Sequence, residues 1–112
     1  MTIYVTPGHT PGTLSFLIPL KDGNRQHLGG MWGGVILGRA TAAQLTTYLA
    51  SAKRFRDIGS RAGVDVLLST IDRHDSTSGK IAAVKARKPG DPHPFAGADL
   101  VKRYWDVIIN CE

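Results

Sequence analysis

A short turn near the N-terminus constrains the fold and the chemistry of this chain more than any other segment. The run Ile3-Tyr4-Val5 is typical of a β-strand, and Thr6-Pro7-Gly8-His9-Thr10-Pro11-Gly12 follows it directly. Proline fixes φ and glycine admits backbone conformations that other residues avoid, so the backbone around His9 is largely preset. Such a position suits a metal ligand or a catalytic base, because both need a side chain held in one place. The alternative is an ordinary strand-to-strand turn with an incidental histidine.

The periodicity of apolar residues predicts a hairpin-rich sheet followed by helices, which is an α/β order. The predicted strands cover residues 2–6, 13–19, 25–30 and 64–68, and the predicted helices cover 41–63, 77–87 and the C-terminal residues from 100 onward. Thr41-Ala42-Ala43-Gln44 has the form of a capping box, in which the threonine and glutamine side chains each satisfy one free amide, and Gly63 ends that helix. The terminal helix carries apolar residues at helical spacing, namely Leu100, Tyr104, Val107, Ile108 and Cys111.

The turn around His9, with Thr13-Leu14-Ser15-Phe16 after it, resembles the third histidine motif of the metallo-β-lactamase-fold hydrolases. Three later segments resemble further parts of that family: Gly29-Gly30-Met31-Trp32-Gly33-Gly34, Leu67-Leu68-Ser69 and Lys88-Pro89-Gly90-Asp91-Pro92-His93-Pro94-Phe95. The resemblance covers nearly the whole chain, but only the C-terminal half of the family's domain. It implies that residues 1–112 form a single domain, half of an αββα sandwich, with a mainly antiparallel sheet and helices on one face.

The resemblance also implies that His9 binds the first zinc of the family's site. The chain has no counterpart of the leading signature of the family, a His-x-His-x-Asp-His loop that supplies most ligands for both metals, because its other histidines, His27, His74 and His93, are not closely paired. A catalytic zinc normally takes three protein ligands. One histidine cannot make such a site, so we expect the missing ligands to come from outside this chain.

The segment Ser69-Thr70-Ile71-Asp72-Arg73-His74-Asp75 stands where the family has its last metal ligand. An ungapped comparison places Ile71, which cannot bind metal, at the ligand position. His74 becomes a candidate ligand only if the loop is reshaped, and Asp72 or Asp75 offers a carboxylate instead. These residues are weaker candidates for a metal ligand than His9.

Three other residues have both a structural and a functional interpretation. Trp32, among four glycines in the region where the wider family has a bridging aspartate, is either a substrate-lining residue or a core residue whose small neighbours make room for it. His27 is either a hydrogen-bonded histidine or a ligand. His93 lies between two prolines, and we expect it in a rigid linker that docks Phe95.

Composition argues against several classes of function. With 42% hydrophobic and 21% charged residues, the chain is typical of a soluble globular protein. It has no apolar run long enough to span a bilayer and no signal-peptide pattern, so we expect no membrane association and a cytoplasmic location by default. The net charge of +5 comes from groups such as Lys53-Arg54-Phe55-Arg56, which we interpret as solvated helix faces rather than a nucleic-acid site. The single Cys111 excludes an internal disulfide.

Two functions of different classes follow. By resemblance, the chain is part of a zinc-dependent hydrolase for a small-molecule ester, lactam or lactone, and it is inactive until an N-terminal half supplies the missing ligands. Alternatively, it is a non-catalytic half-domain that forms a homodimer sheet to sheet. Both functions require a partner, because a sheet with helices on one face must bury its other face. In this chain, that face carries Leu14, Phe16 and Ile18.

Overall fold

The computed structural model describes residues 1–35 and 37–110. Its elements in chain order are β1 (Thr2–Val5), β2 (Leu14–Asp22), β3 (Arg25–Met31), α1 (Ala42–Ala62), β4 (Val66–Leu68), α2 (Asp72–Asp75), α3 (Thr77–Ala86) and α4 (Ala98–Asn110). The predicted strands and helices are all present within a few residues of their expected limits, and the short helix α2 is an addition. None of the described helices is both long and apolar enough to cross a membrane.

The strands form one mixed sheet in the order β1-β2-β3-β4. β1 pairs with β2 and β2 with β3 in antiparallel register, whereas β3 pairs with β4 in parallel register. The parallel pair follows from the connection, because α1 lies between β3 and β4 and a helical crossover returns the chain in the same direction. The sheet is therefore mainly antiparallel, as predicted. Because β1, β3 and β4 run in the same direction, the segments that follow β1 and β4 leave the same end of the sheet.

Helices α1 and α4 pack together and supply the core on one side of the sheet, which confirms the predicted layer. The buried cluster consists of Leu17, Trp32, Val35, Tyr48, Ala52, Phe55, Val64, Leu67, Val101, Tyr104, Trp105 and Ile108. At its centre, the ring of Trp32 makes edge-to-face contacts with Tyr48 and Trp105, at centroid distances of 5.7 and 5.5 Å. Aromatic pairs in this geometry contribute stabilisation beyond their buried area.

The other face of the sheet is the predicted apolar one, and it is open. Ile3, Val5 and Leu14 are 52%, 57% and 40% exposed. The register pairs Ile3 with Phe16 and Val5 with Leu14, so these side chains share one face, while Leu17 points to the opposite face and is buried. We call this surface, formed by Ile3, Val5, Leu14 and Phe16, the open sheet face.

The capping box at the start of α1 is only half present. The Thr41 side chain accepts a hydrogen bond from the Gln44 amide at 3.1 Å, as predicted. The Gln44 side chain does not complete the box but donates to the Gly8 carbonyl at 2.9 Å, on the turn that carries His9. The predicted C-terminal stop is confirmed, since Gly63 is left-handed at φ 83° and its amide donates to the Ser60 carbonyl.

The apolar stripe of α4 differs in part from the prediction. Tyr104 and Ile108 are buried as expected, and the helix also buries Val101 and Trp105. Leu100 and Val107 are instead exposed. The large Trp105 ring lies at the centre of the core, so the buried side of α4 is the one that carries Trp105, and Leu100 and Val107 lie outside it. Cys111, predicted to pack on this helix, lies outside the described residues.

Candidate functional site

The turn around His9 is closed by hydrogen bonds within the first hairpin. The Thr6 amide donates to the Thr13 carbonyl at 2.8 Å, and the buried hydroxyls of Thr6 and Ser15 lie 2.7 Å apart. The Thr10 amide donates to the Thr13 hydroxyl at 2.9 Å. These contacts satisfy the polar groups at the base of the turn and leave its tip, including His9, at the surface. The predicted rigidity of this segment therefore has a direct structural basis.

Helix α1 holds the same turn from its other side. Besides the Gln44 contact, the Ser51 hydroxyl donates to the Pro7 carbonyl at 2.7 Å, and the Arg54 guanidinium donates to the Val5 carbonyl. The helix approaches so closely that a Cβ on Gly8 would lie 2.7 Å from the Tyr48 Cα. Glycine is therefore required there. A shallow cleft of about 350 Å³ lies between the turn and the first turns of α1, and His9 lines it.

Asp75 lies in the segment after β4 and is used as a structural cap. Its side chain is 5% exposed. One carboxylate oxygen accepts from the Ser69 amide at 3.2 Å, and the other accepts from the Thr77 amide and hydroxyl at 3.0 and 2.6 Å. These three donors occupy both oxygens and connect the end of β4 to the start of α3. As placed, Asp75 has no oxygen without a hydrogen-bond donor for a metal.

Ile71 and His74 lie in the same segment. Ile71 packs against the core cluster, and its amide donates to the Ser69 hydroxyl at 3.1 Å, so the position aligned with the family's last ligand is a packing position here. His74 lies in α2, with a buried Nε2 that has no hydrogen-bond partner among residues 1–35 and 37–110. Of the two histidine and aspartate candidates named above, His74 and Asp75, His74 has a ligand atom that no described group uses.

The His9 turn and the Ser69–Asp75 segment leave the same end of the sheet but from its two edges. Three strand spacings separate β1 from β4, which corresponds to about 14 Å across the sheet. Within the described ranges, no three His, Cys, Asp or Glu side chains form a group that could hold a metal ion. The residues present therefore do not fit a zinc ion by themselves, because a catalytic zinc needs three protein ligands close together.

Trp32, the candidate substrate-lining residue, lies in the core. It is 1% exposed, and its indole nitrogen donates to the Tyr48 hydroxyl at 3.4 Å. A Cβ on Gly34 would lie 3.2 Å from the indole ring, so the small neighbours of Trp32 do make room for it. Of its two interpretations, the structure shows the core one.

Two side-chain contacts that sequence patterns did not predict connect distant segments. His27 Nδ1 lies 2.6 Å from an Asp65 carboxylate oxygen, and the other oxygen accepts from the Leu28 amide at 3.0 Å. Burial alone raises the pKa of Asp65, but the hydrogen bonds from His27 and Leu28 outweigh it and lower that pKa. At the turn of the same β2–β3 hairpin, Arg87 makes a bidentate contact with Asp22 at 2.9 and 2.6 Å, which lowers the pKa of Asp22 and raises that of Arg87.

Comparison with solved structures identifies the fold. The chain is similar to a subclass B3 metallo-beta-lactamase of Bradyrhizobium japonicum, with a TM-score of 0.75 and 25% identity over 96% of this chain. It is also similar to the native metallo-beta-lactamase from Legionella gormanii, with a TM-score of 0.80 and 20% identity over 98% of this chain. This chain has the metallo-β-lactamase fold. A class B3 di-zinc metallo-beta-lactamase from an Alaskan soil metagenome matches as well, with a TM-score of 0.60 and 21% identity over 95% of this chain.

The likeness to metallo-β-lactamases is partial with respect to their length. The chain spans 40%, 42% and 40% of these three structures, which agrees with half of the sandwich. No protein-family model matches the sequence, and no curated protein matches it.

Proposed function

We propose that this chain is the C-terminal half of a metal-dependent hydrolase of the metallo-β-lactamase type, active only when an N-terminal half carrying the His-x-His-x-Asp-His ligands completes it. The observation that carries the proposal is the open sheet face. A domain that buries one face of its sheet under helices needs a second layer on the other face, and this chain leaves Ile3, Val5 and Leu14 exposed there. The solved structures that it matches are more than twice as long.

Within such a completed domain, His9 is the contribution of this chain to the metal site. The hydrogen bonds from α1 and from the hairpin fix the backbone of its turn, and its side chain lies at the surface end of the sheet. Preorganisation of this kind suits a ligand, because little conformational entropy is lost on binding. Ile71 contributes packing instead. The similarity to β-lactamases favours a small cyclic amide, and an ester or lactone has the same acyl chemistry.

The open sheet face also supports a second candidate function. Two copies can bury this apolar surface against each other, sheet to sheet, and imitate the two-fold arrangement of the sandwich. Such a homodimer needs no metal. In this case His9 is kept in its turn for structural reasons.

Zinc analysis of the purified chain and of a fusion tests the first proposal. The fusion joins this chain to the part of the Bradyrhizobium japonicum enzyme that it does not cover. We expect little zinc in the chain alone, bound zinc in the fusion, and loss of that zinc in a His9→Ala fusion. A His93→Ala fusion is the matched control, because that histidine lies in the linker before α4. Equal zinc in the His9→Ala and unmodified fusions would contradict the proposal.

The mass in solution tests the homodimer. Sedimentation of the chain alone at increasing concentration is expected to show a dimer if the second function is correct. A folded monomer with no tendency to associate would rule out sheet-to-sheet pairing.

A further inference from the structure

A cleft of about 550 Å³ lies between helices α1 and α4, on the helical side of the sheet and away from the open sheet face. This volume is within the range of small-molecule sites. Val64, Val101 and Trp105 line the cleft and are each at most 8% exposed, so they form an apolar floor. A ligand that lies on this floor removes apolar surface of its own from water.

The indole N–H of Trp105 is an unpaired donor at this cleft. Trp105 is 6% exposed, and its nitrogen donates to no acceptor among residues 1–35 and 37–110. That nitrogen is not among the fully enclosed polar atoms of the described residues, so it is accessible where Trp105 lines the cleft. A buried indole N–H usually has an acceptor, as that of Trp32 has in the Tyr48 hydroxyl. Because an indole nitrogen only donates, Trp105 favours a ligand that carries an acceptor atom.

One end of the cleft carries two carboxylates. The Asp65 carbonyl accepts from the Gly97 amide at 2.7 Å, which brings Asp65 beside the start of α4 and Asp99. The C-terminal end of α1 and the N-terminal end of α4 meet here, and their opposite partial charges offset each other. Asp65 is shared with His27, whereas Asp99 has no ion-pair partner in the described part of the chain. Asp99 is therefore the group that favours a cation at this end.

Both cations that line the cleft are already paired with carboxylates. The Arg56 guanidinium lies 2.9 Å from the Asp57 carboxylate, and the Lys102 ammonium lies 3.2 Å from that of Asp106. Each pair is neutral as a unit. Because the charge left over among the lining residues is negative, the cleft favours a cationic ligand over an anionic one.

Asp99 and Trp105 are close enough to contact the same small molecule. They are six residues apart on α4, which corresponds to about 9 Å along the helix axis. Helical side chains lean toward the N-terminus of their helix, so the Trp105 ring covers the turn that carries Val101 and lies nearer to Asp99 than its own Cα does. One aromatic ring with a two-carbon chain spans such a distance.

We propose that this cleft binds a small arylalkylamine that carries a hydroxyl or ether oxygen. Its ammonium pairs with Asp99, its oxygen accepts from the Trp105 indole N–H, and its ring lies on Val64 and Val101. The site lies in the helical layer and needs neither a metal nor a second sheet. It is therefore independent of both functions proposed above, and its test does not depend on theirs.

Tyramine and three analogues test the two polar contacts separately. Phenethylamine lacks the oxygen of tyramine, 4-ethylphenol lacks its ammonium, and 3-(4-hydroxyphenyl)propionate replaces the ammonium by a carboxylate. Each is titrated at neutral pH and low ionic strength into the 15N-labelled full chain. We expect tyramine to bind about fivefold more tightly than phenethylamine or 4-ethylphenol, since each of these loses one contact at a partly exposed site. The propionate should bind most weakly.

The two indole N–H signals report where the probe binds. The Trp105 signal should move on addition of tyramine, and the Trp32 signal is the internal control, because its N–H is bonded to Tyr48 in the core. Binding as tight by any of the three analogues as by tyramine would overturn the proposal. So would a shift of the Trp32 signal without one of the Trp105 signal.

Two exposed carboxylates on α4 provide matched variants. Asp99→Asn should lower the affinity for tyramine to that for 4-ethylphenol, while the affinity for 4-ethylphenol itself stays unchanged and shows that the cleft is intact. Asp106→Asn removes the same charge from the paired end of the cleft and should weaken tyramine binding less. Equal losses in the two variants would exclude Asp99 as the partner of the ammonium and overturn the proposal.

Discussion

Replacement of Asp75 by alanine decides whether this residue is a structural cap or a metal ligand. The side chain is buried and accepts three hydrogen bonds, two from backbone amides and one from a hydroxyl. In the variant, the amides of Ser69 and Thr77 lose their acceptor in a partly buried place. Hydrogen bonds to charged groups contribute about 1.5–3 kcal/mol each, and not additively, so we expect a loss of about 3 kcal/mol in the free energy of unfolding.

Asp72→Ala is the matched control in the same short helix. Asp72 is exposed, and one of its oxygens caps the Ser78 amide at 2.6 Å, so its loss should cost about 1 kcal/mol, as for an ordinary helix cap. Asp75→Asn keeps one acceptor oxygen, which can serve the two Thr77 donors but not the Ser69 amide as well. It should therefore lie between the two alanine variants.

Urea unfolding followed by circular dichroism gives the required free energies. With a slope of about 2 kcal/mol per molar urea, a loss of 3 kcal/mol lowers the unfolding midpoint by about 1.5 M. The reasoning is refuted if Asp75→Ala costs no more than Asp72→Ala. It is also refuted if a zinc chelator destabilises the unmodified chain but not Asp75→Ala, because Asp75 would then act as a ligand.

Three further predictions concern the turn, one ion pair and the open sheet face. Gly8→Ala should strongly destabilise the chain, because the added Cβ displaces the turn from α1. Gly12→Ala is the control, since its Cβ meets nothing within 4 Å and its melting temperature should be nearly unchanged. Similar melting temperatures for the two variants would contradict this prediction. Asp22→Asn should lower stability at neutral pH but not in strong acid, because Arg87 lowers the pKa of Asp22 below its ordinary 3.8. The stabilisation from the ionised Asp22 is lost as the pH falls through this lowered pKa. A stability difference that does not change with pH would argue against this explanation. Val5→Lys should reduce self-association in sedimentation while Val107→Lys, equally exposed on α4, should not; equal effects would exclude the open sheet face as the contact.

The features that sequence predicted best are those set by local chemistry. The turn around His9 is fixed by prolines and glycines within seven residues, and alternation in β2 identified the apolar face. The role of Trp32 could not be decided in this way, because its burial depends on side chains from α1 and α4 that are remote in sequence. The same holds for Asp65, an acidic residue beside an apolar strand, whose partner His27 reaches it only because β3 and β4 pair in parallel.

Capping interactions show a second limit of local patterns. The glutamine of a capping box is expected to bond to the first residue of its own motif, but Gln44 reaches the Gly8 carbonyl instead. A tertiary acceptor competes successfully because the turn lies directly over the start of α1. The same contact that makes the capping prediction half wrong is one of those that hold the His9 turn in place.

If the proposed function is correct, the packing of Ile71 explains why one substitution at this position should not supply a further metal ligand. Ile71 packs against the core, and the turn around it is held by the Ser69 hydroxyl and by the Asp75 carboxylate. A histidine at 71 would have to leave the core and turn toward the site against these contacts. We therefore expect Ile71→His, in the fusion described above, to destabilise the fold without raising its zinc content in elemental analysis. Combining it with Asp75→Ala, which releases the turn, should raise the zinc content. A higher zinc content in the Ile71→His fusion alone would contradict this explanation, because it would show that the packing of this segment does not prevent position 71 from binding the metal.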